Sequence, residues 1–186
     1  MNESNQPEPE EMGDPDAYDE RQVLNDVRKT AGWRVSPRHI DVAMIALDEV
    51  GEEPSIDRVA EIVTAFHGDG SKRQKRNADL WRLLGAQLTV RGKPGGPDDQ
   101  LKFIGRAKSL ADEQVSDSDL LMVATALAGA KHPLTPEITA DATTWIIDAV
   151  GPGFDSEQLD ERLDKAVEAA MAERAERANK RRRDRS

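Results

Sequence analysis

The sequence contains no cysteine and few aromatic residues. Without cysteine there are no disulfides, cysteine-ligated zinc sites or iron–sulfur clusters, which is consistent with a protein of the reducing cytoplasm. Aromatic residues make up only 4% of the chain, so the core must be built mainly from alanine and aliphatic side chains. The longest β-like run, Leu88-Thr89-Val90, is too short for a strand. This composition favours helix–helix packing over a sheet.

Long apolar segments are also missing. No apolar run approaches the roughly 20 residues that a helix needs to cross a bilayer. The first twenty residues are acidic and lack an apolar segment, so no secretory signal peptide is predicted. We therefore expect a soluble, cytoplasmic protein that does not enter a membrane.

Residues with catalytic or metal-binding chemistry form no recognisable set. The three histidines are His39, His67 and His132, and no two of them share a helical face at metal-ligand spacing. The run Gly68-Asp69-Gly70-Ser71-Lys72 lacks both the spacing of a phosphate-binding loop and a preceding strand. We predict no catalytic residue, no metal site and no cofactor, and hence a protein that is not an enzyme.

The chain is rich in signals for the start and end of helices. Ser36-Pro37 and Thr135-Pro136 are each a capping residue followed by a proline suited to the first helical position. Ser116 with Asp119 resembles a capping box, and Gly51 is suited to ending a helix. Apolar residues recur at helical spacing between these signals. The sequence predicts an all-α fold of seven or eight short helices in one or two small helical bundles.

Charge and composition divide the chain into segments. Eight acidic residues and no basic residue precede Arg21, so the N-terminus is predicted to be disordered. A stretch rich in Gly and Pro predicts an internal linker. The last helix is expected to begin near Ser156 and to extend toward the basic tail. The predicted segments are an acidic head (1–17), an N-terminal helical unit (18–91), a linker (92–98), a C-terminal helical unit (98–171) and a basic tail (172–186).

Residues 71–82 are the most informative stretch. Four cations, Lys72, Arg73, Lys75 and Arg76, follow a Gly68-Asp69-Gly70 turn in a chain of net charge −10. A helix that began at residue 71 would carry them in its first turns, where the helix dipole favours acidic residues instead. A locally unfavourable choice of this kind indicates a function. The anion that it suggests is the phosphate of a nucleic acid.

Residues 55–91 have the order of a helix-turn-helix, with a helix (55–66), a glycine-containing turn (68–71) and a second helix. In such proteins the N-terminal part of the second helix enters the major groove, where Arg, Lys, Gln and Asn can contact base edges. The alternative is a solvated junction that is basic by accident or pairs with the acidic head. The predicted contacts are Lys72, Arg73, Gln74, Lys75, Arg76 and Asn77, with Arg82, Arg91 and Lys93 as secondary contacts.

A run of short motifs extends across residues 40–85. The motifs are Val42-Ala43, Leu47, Gly51, Pro54-Ser55-Ile56, Val59, Gly68-Asp69-Gly70-Ser71 and Leu80-Trp81. In this order they resemble the N-terminal DNA-binding region of plasmid KfrA-type proteins, from which this chain differs by the additional cations after the turn. The resemblance implies DNA binding by this region.

The basic tail supplies a second set of candidate contacts. Cations that neutralise phosphates add salt-dependent affinity for nucleic acids. The alternatives are a solubilising terminus, or an intramolecular clasp between the tail and the acidic head. The candidate tail contacts are Lys180, Arg181, Arg182, Arg183 and Arg185.

The three tryptophans have different surroundings. Trp33 and Trp145 lie in apolar context and are predicted to be core residues. Trp81 stands between Leu80 and Arg82, and we expect it to be half-exposed. Core packing is its expected role, and stacking on a base is the alternative.

The function that these features predict is non-enzymatic binding of DNA or RNA. One alternative is a helical small subunit of a multi-protein nucleoprotein complex, of the CRISPR effector type. Another is a protein–protein adaptor or inhibitor whose acidic head mimics nucleic acid. Both alternatives imply protein partners. A DNA-binding protein that reads half-sites is expected to form a homo-oligomer, because such proteins work in pairs.

Overall fold

The computed structural model describes residues 20–31, 35–66 and 77–183. Within these ranges the chain forms nine α-helices and no strand, which confirms the predicted all-α fold. The acidic head, Trp33 and residues 67–76 lie outside the described residues. The helices are α1 (Glu20–Ala31), α2 (Pro37–Val50), α3 (Ile56–Phe66), α4 (Ala78–Val90), α5 (Pro97–Lys108), α6 (Asp117–Gly129), α7 (Pro136–Val150), α8 (Ser156–Asp160) and α9 (Leu163–Arg183).

The capping signals set several helix boundaries as predicted. In the Ser116–Asp119 box, the Asp119 N–H donates to Ser116 Oγ (3.1 Å), and the Ser116 N–H donates to Asp119 Oδ2 (3.2 Å). Thr135 Oγ1 accepts a hydrogen bond from the N–H of Ile138 (3.2 Å) at the start of α7. Gly51 ends α2 with a φ of 72°, a left-handed conformation that glycine adopts without strain.

The predicted last helix is divided in two. A turn at residues 161–162 separates α8 from α9, so the prediction of one continuous helix from Ser156 is wrong. The short α8 is closed at its start by a capping box, in which the Gln158 N–H donates to Asp155 Oδ1 (2.9 Å). The expected extension toward the basic tail is confirmed, because α9 continues to Arg183.

Two hydrophobic cores share one helix, α4. The C-terminal core comprises Trp81, Leu84 and Leu88 of α4 and the buried residues between Phe103 and Val167. Ala86, on another face of α4, belongs to the N-terminal core, and Leu83 and Val90 pack against that core. Because α4 contributes to both, the two predicted helical units meet along it. The N-terminal core comprises Val27, Val35, Ile40, Val42, Ala43, Ala46, Leu47, Val59, Ala60, Ile62, Val63, Phe66 and Ala86.

The predicted linker is tightly packed against α4. Gly95 is buried, and its carbonyl accepts a hydrogen bond from Gln100 Nε2 (2.9 Å). Gly85 of α4 lies opposite, so close that a β-carbon there would come within 2.7 Å of the Gly95 carbonyl oxygen. The glycines in this stretch therefore permit backbone contact between α4 and the segment that follows it.

Only the first part of α9 is packed on the protein body. Leu163, Ala166, Val167 and Ala170 are buried, with α7 as the main neighbour. Arg174 then reaches Asp141 of α7 with an N···O distance of 3.5 Å. The described side chains beyond Arg174 are exposed. The end of α9, residues 175–183, therefore extends from the body as a free helical arm.

Candidate nucleic-acid interface

Residues 72–76, with their four cations, are called the basic segment. The helix that follows this segment begins later than predicted. Asn77 is the N-cap of α4, with φ −132° and ψ 48°, and the helix starts at Ala78. The prediction of one helix from residue 71 to residue 91 is therefore wrong. The first turn of α4 carries Asp79 and no cation, as the helix dipole favours. Lys72, Arg73, Gln74, Lys75 and Arg76 precede this helix and lie outside the described residues.

Asn77 and Arg82, the predicted contacts nearest to the basic segment, are both bonded within the protein. Asn77 Nδ2 donates to Ser118 Oγ at the start of α6 (3.1 Å). Arg82 Nη1 lies 2.9 Å from Asp79 Oδ1, and Arg38 of α2 lies 2.6 Å from the other oxygen of the same carboxylate. Asn77, the first described residue after the basic segment, is thus held on α6, and the charge of Arg82 is partly neutralised.

Arg91 and Lys93 point toward the backbone that follows α6. Arg91 donates to the carbonyl of His132 (3.0 Å) and to that of Ala128 (3.3 Å). Lys93 Nζ donates to the carbonyl of Leu134 (2.8 Å). Arg91 thus satisfies a carbonyl in the last turn of α6, where positive charge is stabilising, and both cations satisfy carbonyls of the chain that follows this helix. They join the end of α4 to the turn between α6 and α7.

Replacing Arg91 by alanine should separate this structural role from a role in nucleic-acid binding. We expect Arg91→Ala to lower the free energy of unfolding by about 2 kcal/mol, because two hydrogen bonds from a charged donor are lost. The salt dependence of any nucleic-acid binding should stay unchanged. Urea denaturation and a binding titration measure the two effects. Arg106→Ala, on the exposed side of α5, is the control and should alter neither. A smaller salt slope for Arg91→Ala would show instead that this guanidinium contacts phosphate.

The free arm of α9 presents the described part of the basic tail. Lys180 and Arg183 are exposed at its C-terminal end, where cations also complement the helix dipole. Arg181 and Arg182 lie in the same helix, but their side chains are outside what the structure describes, as is Arg185. At the base of the arm, burial raises the pKa of Asp141 above its ordinary value, although the neighbouring Arg174 and Arg177 act in the opposite direction. The arm is therefore a helical, largely cationic projection.

Trp81 does not lie at the surface. Its side chain is 4% exposed and belongs to the C-terminal core, so the prediction of a half-exposed tryptophan is wrong. Helical spacing places Trp81 on the same face as Leu84 and Leu88, and the C-terminal unit covers that face. Stacking of a base on Trp81 is excluded by this burial. Trp145 is partly buried against the same core.

The structure contains a polar junction between α2, α4 and α6 that was not predicted from the sequence. Glu49 near the end of α2 accepts a hydrogen bond from Nε2 of Gln87, a fully buried residue of α4. Burial raises the pKa of the Glu49 carboxyl from its ordinary 4.5 to about 7, although Arg91 and Lys131 act in the opposite direction. The only sequence signal is a glutamine in the apolar helix α4, since a buried amide needs a partner.

Within residues 20–31, 35–66 and 77–183 there is no cluster of three or more His, Cys, Asp or Glu side chains arranged to hold a metal ion. Among the same residues, no helix is both long and apolar enough to cross a membrane. Comparison of the chain with protein-family models, curated proteins and solved structures gives no match.

Proposed function

We propose that this protein binds nucleic acid without catalysing a reaction, and that the basic segment at residues 72–76 contacts phosphates. The observation that carries the proposal is the density of charge between α3 and α4. Residues 67–76 contain four cations and one acid, in a chain with 36 acidic and 26 basic residues. A net charge of −10 works against indiscriminate binding to nucleic acid and favours contact through a localised patch.

The surroundings of the segment support this assignment. Arg82, Arg91 and Lys93 are bonded to a carboxylate or to backbone carbonyls, so the basic segment supplies the concentrated positive charge in this part of the chain. Asn77, the first described residue after the segment, is held on α6, and Phe66, the last described residue before it, belongs to the N-terminal core. The described residues on either side of the proposed contact segment are thus attached to the folded body.

The free arm of α9 provides a second positive surface. Its exposed cations, which include Lys180 and Arg183, lie on a helix with no other packing role in the described structure. Phosphate contacts position a protein on a nucleic acid but carry no sequence information. We therefore assign the arm a supporting part in binding. Base contacts are assigned to Gln74 alone, because the amide of Asn77 already donates to Ser118.

The test compares the wild type with Lys72, Arg73, Lys75 and Arg76 all changed to alanine. Binding to labelled duplex DNA, single-stranded DNA and RNA is measured across a salt series. If each cation contacts one phosphate, the plot of log K against log salt should be less steep for the variant, with a slope smaller in magnitude by about 4 units. The slope should be smaller per contact for single strands. The preferred ligand then identifies the class of nucleic acid.

A matched control removes the same charge elsewhere. Lys29, Lys102, Arg106 and Lys165 are exposed cations distributed over the body, and their joint replacement by alanine should leave the slope close to that of the wild type. An equal loss in both variants would indicate a general charge effect. Absence of binding by the wild type to all three ligands at low salt would overturn the proposal and direct attention to protein partners.

A further inference from the structure

The junction of Glu49 with Gln87 connects the two cores. Glu49 lies on α2, which belongs to the N-terminal core, and Gln87 lies on α4, which is shared. Gly129 at the end of α6 leaves room for the carboxyl, because a β-carbon there would lie 3.3 Å from Glu49 Oε1. Three helices thus meet around one ionisable side chain.

The hydrogen bonding at this junction is incomplete while Glu49 is ionised. Gln87 Nε2 donates to Glu49 Oε2, but Gln87 Oε1 is buried and has no partner among the described residues. A carboxylate only accepts hydrogen bonds, whereas a protonated carboxyl also donates one. The protonated form therefore adds, beside Gln87, the kind of donor that Gln87 Oε1 lacks. An unsatisfied buried acceptor is a cost that the ionised form retains.

The charges around the carboxyl do not reverse this preference. On its own helix Asp48 disfavours ionisation. Arg91, just after α4, and Lys131, in the turn after α6, favour it, but Arg91 already donates to two backbone carbonyls. The other titratable group of that turn, His132, directs Nε2 to Asp164 of α9 at 2.9 Å. Partial burial outweighs these influences and holds the pKa near 7.

We propose that Glu49 is a proton-operated latch, which holds α2 against α4 and α6 when protonated and loosens that contact when it ionises. The sign follows from linkage. A carboxyl that binds its proton more tightly in the folded state stabilises that state at acidic pH. This contribution to the free energy of unfolding falls as the pH rises from about 4.5 to about 7. Above about pH 7 the ionisation of Glu49 changes the free energy of unfolding little further. The coupling of the two cores should therefore be tighter at pH 6 than at pH 8.

The direct test is a carbon-13 NMR titration of glutamate side-chain carboxyls in the wild-type protein. We expect the Glu49 resonance to titrate with a midpoint near 7, above its ordinary value of 4.5. Amide hydrogen exchange, corrected for its intrinsic pH dependence, should show less protection in α2 at pH 8 than at pH 6. This experiment needs no variant. A midpoint near 4.5 for Glu49 would overturn the proposal.

Variants then test whether ionisation of Glu49 causes the pH dependence of stability. Glu49→Gln keeps a neutral donor and acceptor beside Gln87, so its urea midpoint should exceed that of the wild type at pH 8 and match it below about pH 4.5. Glu53→Gln, an exposed position just after α2, is the control and should behave like the wild type. His39→Gln and His132→Gln measure the part of the pH dependence that belongs to histidine. If Glu49→Gln shows the same fall in midpoint as the wild type, Glu49 is not the latch.

Discussion

Changing Gly85 to alanine is expected to lower the free energy of unfolding by about 3 kcal/mol, because there is no space for a β-carbon. The added atom would lie 2.3 Å from Gln100 Nε2, 2.7 Å from the Gly95 carbonyl oxygen and 2.7 Å from Phe66 Cβ. The Gly95 oxygen belongs to the backbone, so a simple side-chain rotation cannot relieve the overlap. Urea denaturation followed by circular dichroism measures the loss.

Gly105 is the matched control for this prediction. It also lies inside a helix, α5, but a β-carbon there would meet nothing within 4 Å. Gly105→Ala should therefore stabilise the protein by about 0.5–1 kcal/mol through the higher helix propensity of alanine. Substitutions of the same kind are thus expected to have opposite signs. An unchanged midpoint for Gly85→Ala would mean that α4 and the segment around Gly95 are not in close contact.

Changing Trp81 to alanine is expected to cost about 3–5 kcal/mol, the range for removing a large aromatic side chain from a core. Trp81 is 4% exposed and packs with Leu84 and Leu88 in the C-terminal core. The loss should appear as a lower urea midpoint. Under conditions where the variant is folded, its nucleic-acid binding should have the same salt slope as the wild type, because the indole does not reach the surface.

Two further variants define the Trp81 effect. Trp81→Phe keeps part of the buried volume and should lose less stability than Trp81→Ala. Trp145→Ala removes the same side chain from a partly buried position, so its cost should also be smaller. Equal midpoints for Trp81→Ala and Trp145→Ala would contradict the burial of Trp81. A selective loss of single-strand binding in folded Trp81→Phe would likewise contradict this burial, because it would show that the indole contacts nucleic acid.

Local chemistry accounts for the parts of the fold that the sequence predicts well. Ser116 with Asp119, Thr135 before Pro136, and Gly51 each act on backbone groups within a few residues. Their effect therefore does not depend on the rest of the chain. Spacing of apolar residues likewise identified most of the helices and the all-α class. The break between α8 and α9 was missed because the apolar stripe runs on through the turn.

The start of α4 shows where pattern alone is insufficient. Ser71 and Asn77 are both acceptable N-caps, and the helical spacing of Leu80, Leu83 and Leu84 fits either start. The structure begins the helix after Asn77, whose side chain bonds to Ser118 of α6, 41 residues away. A partner so distant in sequence leaves no local signal. The position of the cations relative to the helix was therefore predicted wrongly, although their charge is evident from the sequence.

The helical class, most capping sites, the charge asymmetry and the basic segment can be predicted from the sequence, because they depend on neighbouring residues or on composition. The burial of Trp81, the bonds from Arg91 and Lys93 to carbonyls, and the contact of Glu49 with Gln87 become visible only in the folded protein. The Arg91, Lys93 and Glu49 contacts join residues 37 to 41 positions apart. Which face of α4 meets which core depends on the packing of all nine described helices. Burial, and with it the raised pKa of Glu49, is a property of that packing.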